Sequence, residues 1–475
     1  MFSAVAALAL AGSAGAATVH AAAGTMIGRM EGNVAVFRGI PYAQPPIGPL
    51  RWRAPQALSR FSRPLRAAAF GSICMQAPPK GDTGVGTEPP SEDCLTLNIW
   101  APTSRRNLPV MVWIHGGGYT SGSGSAALYD GGAFARRGVI IVTFNYRLGR
   151  FAFFDHPELG SREGTNFGLL DQQAVLRWVQ RNIAAFGGNP QKVTLFGNSA
   201  GGESVLFQMV APTSRGLFHR AIVQSGLGGR TLRVRGNTID RDRATQPIAI
   251  LRASSAADIL VWGTPSLYRG FGPTIDGITV HETIEARFAA RRQAQVPMII
   301  GYNGFEFPPA FMGGRVAAMA MVGHNANQRA AGIAAYGSID VYEERIASDV
   351  LFRAPALRLA KAHARTGRET WVYEFDVVSP AVPSRLSGAP HASERAYVFG
   401  TLPRLGWPTD GRDQQIADEM GTRWVRFATD GMPTVDVAAW PRTLPDRDHA
   451  SFIAHDPPTL SKPMSPSIAR YHETK

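Results

Sequence analysis

Three features of the 475-residue sequence predict an α/β protein: a large, mostly parallel central sheet covered by helices, with antiparallel strands at its N-terminal edge. Short apolar runs rich in β-branched residues alternate with helical stretches, as parallel strands joined by crossovers require. One run, Val193-Thr194-Leu195-Phe196, ends in Gly197-Asn198-Ser199-Ala200-Gly201, and a helical stretch from Ala200 to Val210 follows. Another, Val110 to Ile114, runs straight into His115-Gly116-Gly117-Gly118. Glycines placed directly after strand ends suit a backbone that another group must approach closely.

Taken in order, Met1 to Ala23 combine a short apolar stretch with small-residue sites at Ala14-Gly15-Ala16 and Ala21-Ala22-Ala23, the pattern of a signal peptide. The first arginine is Arg29, so a basic start is lacking, and a flexible Ala/Gly tail is the alternative. A signal peptide implies a secreted or periplasmic protein. Residues 24–475 then read as a single domain, because neither a repeat nor a low-complexity linker divides them. "MIGRMEGNVAVFRGIPYA" reads as an antiparallel hairpin turning at Glu31-Gly32-Asn33. Strands are expected at Leu97–Trp100, Val110–Ile114, Val139–Tyr146, Val193–Phe196, Ala221–Gln224, Val296–Gly301 and Trp371–Val377. "TNFGLLDQQAVLRWVQRNIAAFGGNP" places Leu170, Ala174, Trp178 and Ile183 on one helical face and stops at Gly187-Gly188. Ala354 to Ala364 is a further helical stretch. In such a sheet ligands sit at the carboxyl ends of the strands, where Ser199 lies.

Composition narrows the function classes. With 44% apolar and 18% charged residues the chain reads as globular, and no stretch is long and apolar enough for stable membrane insertion. The net charge is +13, yet five lysines stand among 49 basic residues and the arginines are scattered, which argues against nucleic acid as a partner. There are two cysteines, Cys74 and Cys94, separated by a Pro/Gly-rich stretch. In an exported chain they favour a disulfide closing a surface loop, with two unrelated buried thiols as the alternative. There is no CxxC, Cys/His zinc spacing or HExxH, so no metal is expected.

A serine hydroxyl is a weak nucleophile without a base, an orienting acid and donors for the oxyanion. The G-x-S-x-G around Ser199 suits a strained strand-to-helix elbow, and the glycines after Ile114 leave backbone N–H groups bare beside it. A phosphate-binding loop is the rival for those glycines, but no G-K-[ST] follows. In elbows of the α/β-hydrolase kind the chain order is Ser, acid, His. Among the eight histidines after Ser199, His219 and His363 read as packing residues, His449 and His455 flank a short terminal strand, and His281, His324 and His472 follow no strand end. His391 alone lies on a loop after a strand. By the same argument Glu306 follows the strand in "VPMIIGYNGFEF", and its flanking Phe305 and Phe307 can keep it dry.

At this point the chain resembles the type-B carboxylesterase/cholinesterase family of α/β-hydrolases, from about residue 26 to 460. The motifs, in family order, are "FRGIPYAQPPIGPLRW", "SEDCLTLNIWAP", "WIHGGGYTSGSG", "NYRLG", "GGNPQKVTLFGNSAGGES", "PHASERAYVFG" and "WVRFATDGMPTVDVAAWP". The resemblance implies a carboxylic-ester hydrolase working through a covalent acyl-serine, with Ser199 as nucleophile, His391 as base and Glu306 as acid. It further implies oxyanion donors at Gly117, Gly118 and Ala200, a Cys74–Cys94 bridge and a structural ion pair between Glu92 and Arg147. The substrates are then a small-molecule ester and water, with no cofactor; the sequence points to no particular oligomeric state. A non-catalytic binding module on the same fold is the competing class, and a lipase or polyester hydrolase is a sub-type of the first.

The chain departs from the family in three places. Asn198 stands where Glu or Gln usually precedes the nucleophile, and Phe307 replaces the glycine that usually follows the acid, leaving Asp276 and Asp376 as alternative acids. The chain is also short between Ser225 and Val296 and between Glu306 and His391. Residues 75–93 contain no Trp, Tyr or Phe and Asn198 is uncharged, so the aromatic and acidic groups that face a choline cation in cholinesterases are not expected here.

Overall fold

Runs that are apolar at every position need a sheet covered on both sides. The computed structural model describes residues 15–77, 81–160, 164–228, 232–236, 243, 245–262, 271–309, 313–381, 387–436, 440–446, 451–453, 459–460 and 466–473. Among these residues one large sheet contains β1 (Ala16–Ala21), β2 (Gly24–Glu31), β3 (Val34–Pro41), β4 (Thr96–Pro102), β5 (Leu108–Ile114), β6 (Ile140–Phe144), β7 (Gly188–Asn198), β8 (Arg220–Gln224), β9 (Met298–Asn303), β10 (Thr370–Phe375), β11 (Ser451–Ile453) and β12 (Thr459–Leu460). Their spatial order is β1-β2-β3-β4-β6-β5-β7-β8-β9-β10-β11-β12. Pairing is antiparallel from β1 to β4 and between β4 and β6. It is parallel from β6 through β11, and β12 returns antiparallel. This is the predicted architecture: an α/β-hydrolase sheet with its antiparallel strands at the N-terminal edge.

The period-2 alternation of each strand divides its side chains between two cores. On β5, Val110, Val112 and Ile114 join one core while Met111 and Trp113 join the other; Ile300 and Ile299 of β9 divide in the same way. α1 (Phe167–Asn182) and α2 (Ala200–Val210) cover the first face. The second is covered by α6 (Gly411–Asp430), whose Ile416, Met420, Trp424 and Phe427 form a buried stripe at helical spacing. Between these helices lie α3 (Ile339–Ser348), α4 (Ala354–Ala364) and α5 (Glu394–Phe399), with α7 (Pro466–Glu473) closing the chain. Among the described residues no helix is long and apolar enough to cross a membrane.

Two expectations need correction. The sheet begins before the residue-24 boundary: β1 lies within the stretch read as a signal peptide and pairs with β2 from Ala16↔Arg29 to Ala21↔Gly24. Its small residues fit a strand at a sheet edge as readily as a cleavage site. The buried face of α1 differs in part from the expected one, of which Trp178 and Ile183 are buried as expected. Leu170 and Ala174 are only partly covered, while Leu169, Gln172, Leu176 and Val179 are buried. The reason is polar burial: Asp171, Gln172 and Gln173 lie inside with partners, which apolar periodicity cannot register. The glycine stop stands, since Gly187 takes a left-handed φ of 89° after a short 3₁₀ turn. The Cys74–Cys94 disulfide is formed. The terminal strand expected between His449 and His455 is β11; both histidines lie outside the described residues.

Candidate active site

Strand register brings the two glycine-bearing turns together. Gly197 pairs with Ile114 in the β5–β7 ladder, so Ser199 and the His115–Gly118 arm leave adjacent strand ends. Ser199 has φ 58° and ψ −125°, a conformation that a residue with a Cβ keeps only when its surroundings hold it. Here its N–H donates to the Gln224 carbonyl at 2.9 Å and its carbonyl accepts from Glu203 N–H at 2.8 Å. The flanking glycine at 201 is required by contact, because a Cβ there would stand 2.0 Å from the Ile114 oxygen.

Ser199, His391 and Glu306 meet, although they come from distant parts of the chain. Ser199 Oγ lies 2.8 Å from His391 Nε2, and His391 Nδ1 lies 2.6 Å from Glu306 Oε2. An ionised carboxylate only accepts, so Nδ1 carries the proton and Nε2 is left to accept from the serine hydroxyl. The other carboxylate oxygen of Glu306 accepts from Asn303 N–H at 2.7 Å, and the residue is buried. The loops carrying acid and base are themselves laddered. Phe305 N–H donates to the Ala389 carbonyl (3.1 Å) and His391 N–H to the Glu306 carbonyl (2.9 Å). The alternative acids are occupied elsewhere: Asp276 Oδ1 accepts from the N–H groups of Ile278, Thr279 and Val280, and Asp376 Oδ1 accepts from Ala389 N–H.

The glycine arm curls through left-handed conformations at Gly117 (φ 102°), Gly118 (φ 60°) and Tyr119 (φ 64°). Among the described residues no protein group accepts from the N–H of Gly117, Gly118 or Ala200. A Cβ on Gly116 would stand 3.1 Å from Ser199 Cβ, so the arm passes directly against the nucleophile position. His115 is buried, stacks on Tyr146 at 4.4 Å and shares a 2.9 Å hydrogen bond with the Gly116 carbonyl. Burial pushes its imidazole down to about 4, so it is neutral at neutral pH.

Sequence reasoning missed Glu394, three residues past His391 at the start of α5. It is buried, accepting from Asn198 Nδ2 and Asn303 Nδ2, each at 2.9 Å, and burial together with the neighbouring Glu306 charge raises its carboxyl above the usual range. Asn198, the departure before the nucleophile, is therefore a donor to a buried carboxylate. The ring of Phe307, the second departure, lies 4.9 Å from His391 and 5.0 Å from Phe352, which itself lies 4.9 Å from His391. The Glu92–Arg147 ion pair does not form. Glu92 pairs with Arg51, and Arg147 makes a two-pronged contact with Asp171 at 2.8 and 2.7 Å. Glu92 and Arg147 do line one small cavity beside the disulfide, which Arg51 also lines, but they do not pair with each other there. Among the described residues no group of His, Cys, Asp and Glu is arranged to hold a metal.

The profile of the Carboxylesterase family matches residues 15–314 and 339–466, most of the chain. The chain belongs to the carboxylesterase family. This carboxylesterase is 35% identical over 453 residues to para-nitrobenzyl esterase of Bacillus subtilis (strain 168), covering 88% of this chain and 91% of that protein. It is 32% identical to fumonisin B1 esterase of Sphingopyxis macrogoltabida, over 89% of this chain and 84% of that one. To phenmedipham hydrolase of Pseudarthrobacter oxydans it is 34% identical, over 93% and 94%. Among solved structures, a PNB esterase superposes with a TM-score of 0.82 at 30% identity, and a thermophilic PNB esterase with 0.83 at 29%. Each superposition covers 96% of this chain and 99% of the other. The carboxylesterase is thus a carboxylic ester hydrolase.

Proposed function

We propose that this carboxylesterase cleaves its ester through an acyl-serine intermediate, with Ser199 as nucleophile, His391 as general base and Glu306 as the orienting acid. The observation that carries this reading is the continuous chain from Glu306 through His391 to Ser199, with contacts of 2.6 and 2.8 Å. Ser199 Oγ attacks the ester carbonyl as its proton passes to His391 Nε2, and the carbonyl oxygen becomes an oxyanion facing the N–H groups of Gly117, Gly118 and Ala200. The imidazolium, steadied by Glu306, then protonates the departing alkoxide. Water repeats the sequence on the acyl-serine, giving the carboxylic acid and free Ser199.

The test is Ser199→Ala, which should lower kcat by at least about a thousandfold, with a fluorophosphonate labelling the wild-type enzyme at Ser199 alone. Near-normal turnover in the variant, or labelling at another residue, would reject the assignment. A panel of para-nitrophenyl esters of rising acyl length, with para-nitrobenzyl esters, phenmedipham and fumonisin B1 taken from the relatives, would locate the preferred substrate. Export to the periplasm or medium, cleaved near Ala16 so that β1 is essentially kept, is the accompanying proposal.

A further inference from the structure

The arm that carries Gly117 and Gly118 continues into Ser121–Ser125, and this continuation is held from outside, by the loop that the Cys74–Cys94 bridge closes. Gln76 lies two residues past Cys74 and is buried. Its Nε2 donates to the Gly122 carbonyl at 3.0 Å and its Oε1 accepts from Gly122 N–H at 2.9 Å, so one side-chain amide grips both polar groups of one residue. The same Nε2 also donates to the Cys74 carbonyl at 3.0 Å, which ties the amide to the bridge.

Further along the loop the stitching continues. Ser123 N–H donates to the Gly84 carbonyl (3.1 Å), Gly86 N–H to Ser123 Oγ (2.7 Å) and Ser125 Oγ to Glu88 Oε2 (2.6 Å). On its inner side the arm folds back on itself, Thr120 N–H and Ser121 N–H both donating to the Gly117 carbonyl at 3.0 Å. Gly122 has no slack: a Cβ there would stand 2.3 Å from His115 Nδ1 and 2.6 Å from the Gly116 oxygen. One side of Gly122 is therefore fixed by Gln76 and the other is packed against the start of the glycine arm.

We infer that Gln76 is a positioning residue for the oxyanion donors. Through Gly122 it sets the direction of the Gly117 and Gly118 N–H groups, and the Cys74–Cys94 bridge sets the position of Gln76. The inference rests on the reading of the glycine arm given under Proposed function. Donors fixed in advance need no reordering when the oxyanion forms, so they favour the transition state over the bound ester. Loosening them lowers kcat and leaves KM nearly unchanged.

The experiment compares wild type with Gln76→Ala and Gln76→Glu, the second keeping the size but losing the donor to the Gly122 carbonyl. The kcat and KM for a para-nitrophenyl ester are measured beside the Ki of a trifluoromethyl ketone, which adds to Ser199 and places an oxyanion where the donors point. For both variants kcat should fall about 10- to 100-fold with KM within about twofold, and Ki should rise by the factor that kcat/KM loses. Should Gln76→Ala fail to fold, Gln76→Glu and mild reduction of the bridge in the folded wild-type enzyme supply the same paired readings. Unchanged kcat and Ki in folded variant and in reduced enzyme, or a loss carried by KM alone, overturns the inference. Wild type that binds the ketone no more tightly than its ester would instead overturn the parent reading of the site.

Discussion

Both carboxylate oxygens of Glu306 are committed, one to Asn303 N–H and one to His391 Nδ1. Glu306→Gln keeps the volume but replaces a carboxylate with a neutral group that cannot steady an imidazolium. The kcat for a para-nitrophenyl ester should therefore fall well over tenfold, yet by less than in Ser199→Ala, with KM little changed; steady-state kinetics on the two variants side by side check the ranking. The neighbouring Phe307 explains how an unusual residue leaves Glu306 in place against His391: its N–H donates to Ser348 Oγ at 3.1 Å and its ring packs on Phe352 and His391. The meeting of Ser199, His391 and Glu306 was legible because each follows a strand end, a property visible locally. Glu394 was not, because the asparagines that hold it lie 196 and 91 residues away. The family resemblance implied Glu92 as the partner of Arg147, and the structure gives Asp171 instead. A buried charge takes whichever opposite charge packing brings nearest, and spacing along the chain carries no record of that choice.

At the scale of elements, the elbow and the glycine arm were readable because close backbone approach excludes any residue with a side chain. The face of α1 was readable only at Trp178 and Ile183, since Asp171 and Gln172 are buried through partners on other segments. The loop between the cysteines carries a substrate prediction. Residues 75–93 contain no aromatic side chain, and Asn198 binds Glu394 with its amide. A cation–π contact in a dry site is worth about 2 kcal/mol, or roughly thirtyfold in kcat/KM. Without it a choline ester should be hydrolysed no faster than the isosteric neutral ester in which carbon replaces nitrogen. The check is the ratio of the two kcat/KM values at fixed pH and salt, and a choline preference above about tenfold would contradict the expectation.

For the molecule as a whole, two cores on either face of one sheet bury groups that water would otherwise protonate, and stability should record this. His115 titrates at about 4 when folded, against an ordinary 6.5. Between those values the unfolded chain takes up a proton that the folded protein refuses, so the contribution is complete above about pH 6.5 and is lost as pH falls toward 4. By pH 5 the loss is about 2 kcal/mol. Urea unfolding at pH 7.5 and pH 5 should show a pH-dependent destabilisation smaller by about that amount in His115→Gln than in wild type. An equal pH dependence in the two proteins would show that burial does not govern this histidine.

The order in which the site's parts occur along the chain has a consequence for synthesis. The glycine arm ends at residue 118, Ser199 follows, then the proposed acid Glu306 and the proposed base His391, and the two contacts that join them span 192 and 85 residues. Synthesis delivers His391 last of these, after the residues of β10, the strand that pairs with β9 in the folded sheet. On the proposed mechanism, nascent or truncated chains that stop before His391 hold Ser199 without its base, however well their early strands have folded. They should not acylate themselves on cellular esters, and the onset of esterase turnover then serves as a clock for the final docking step of folding.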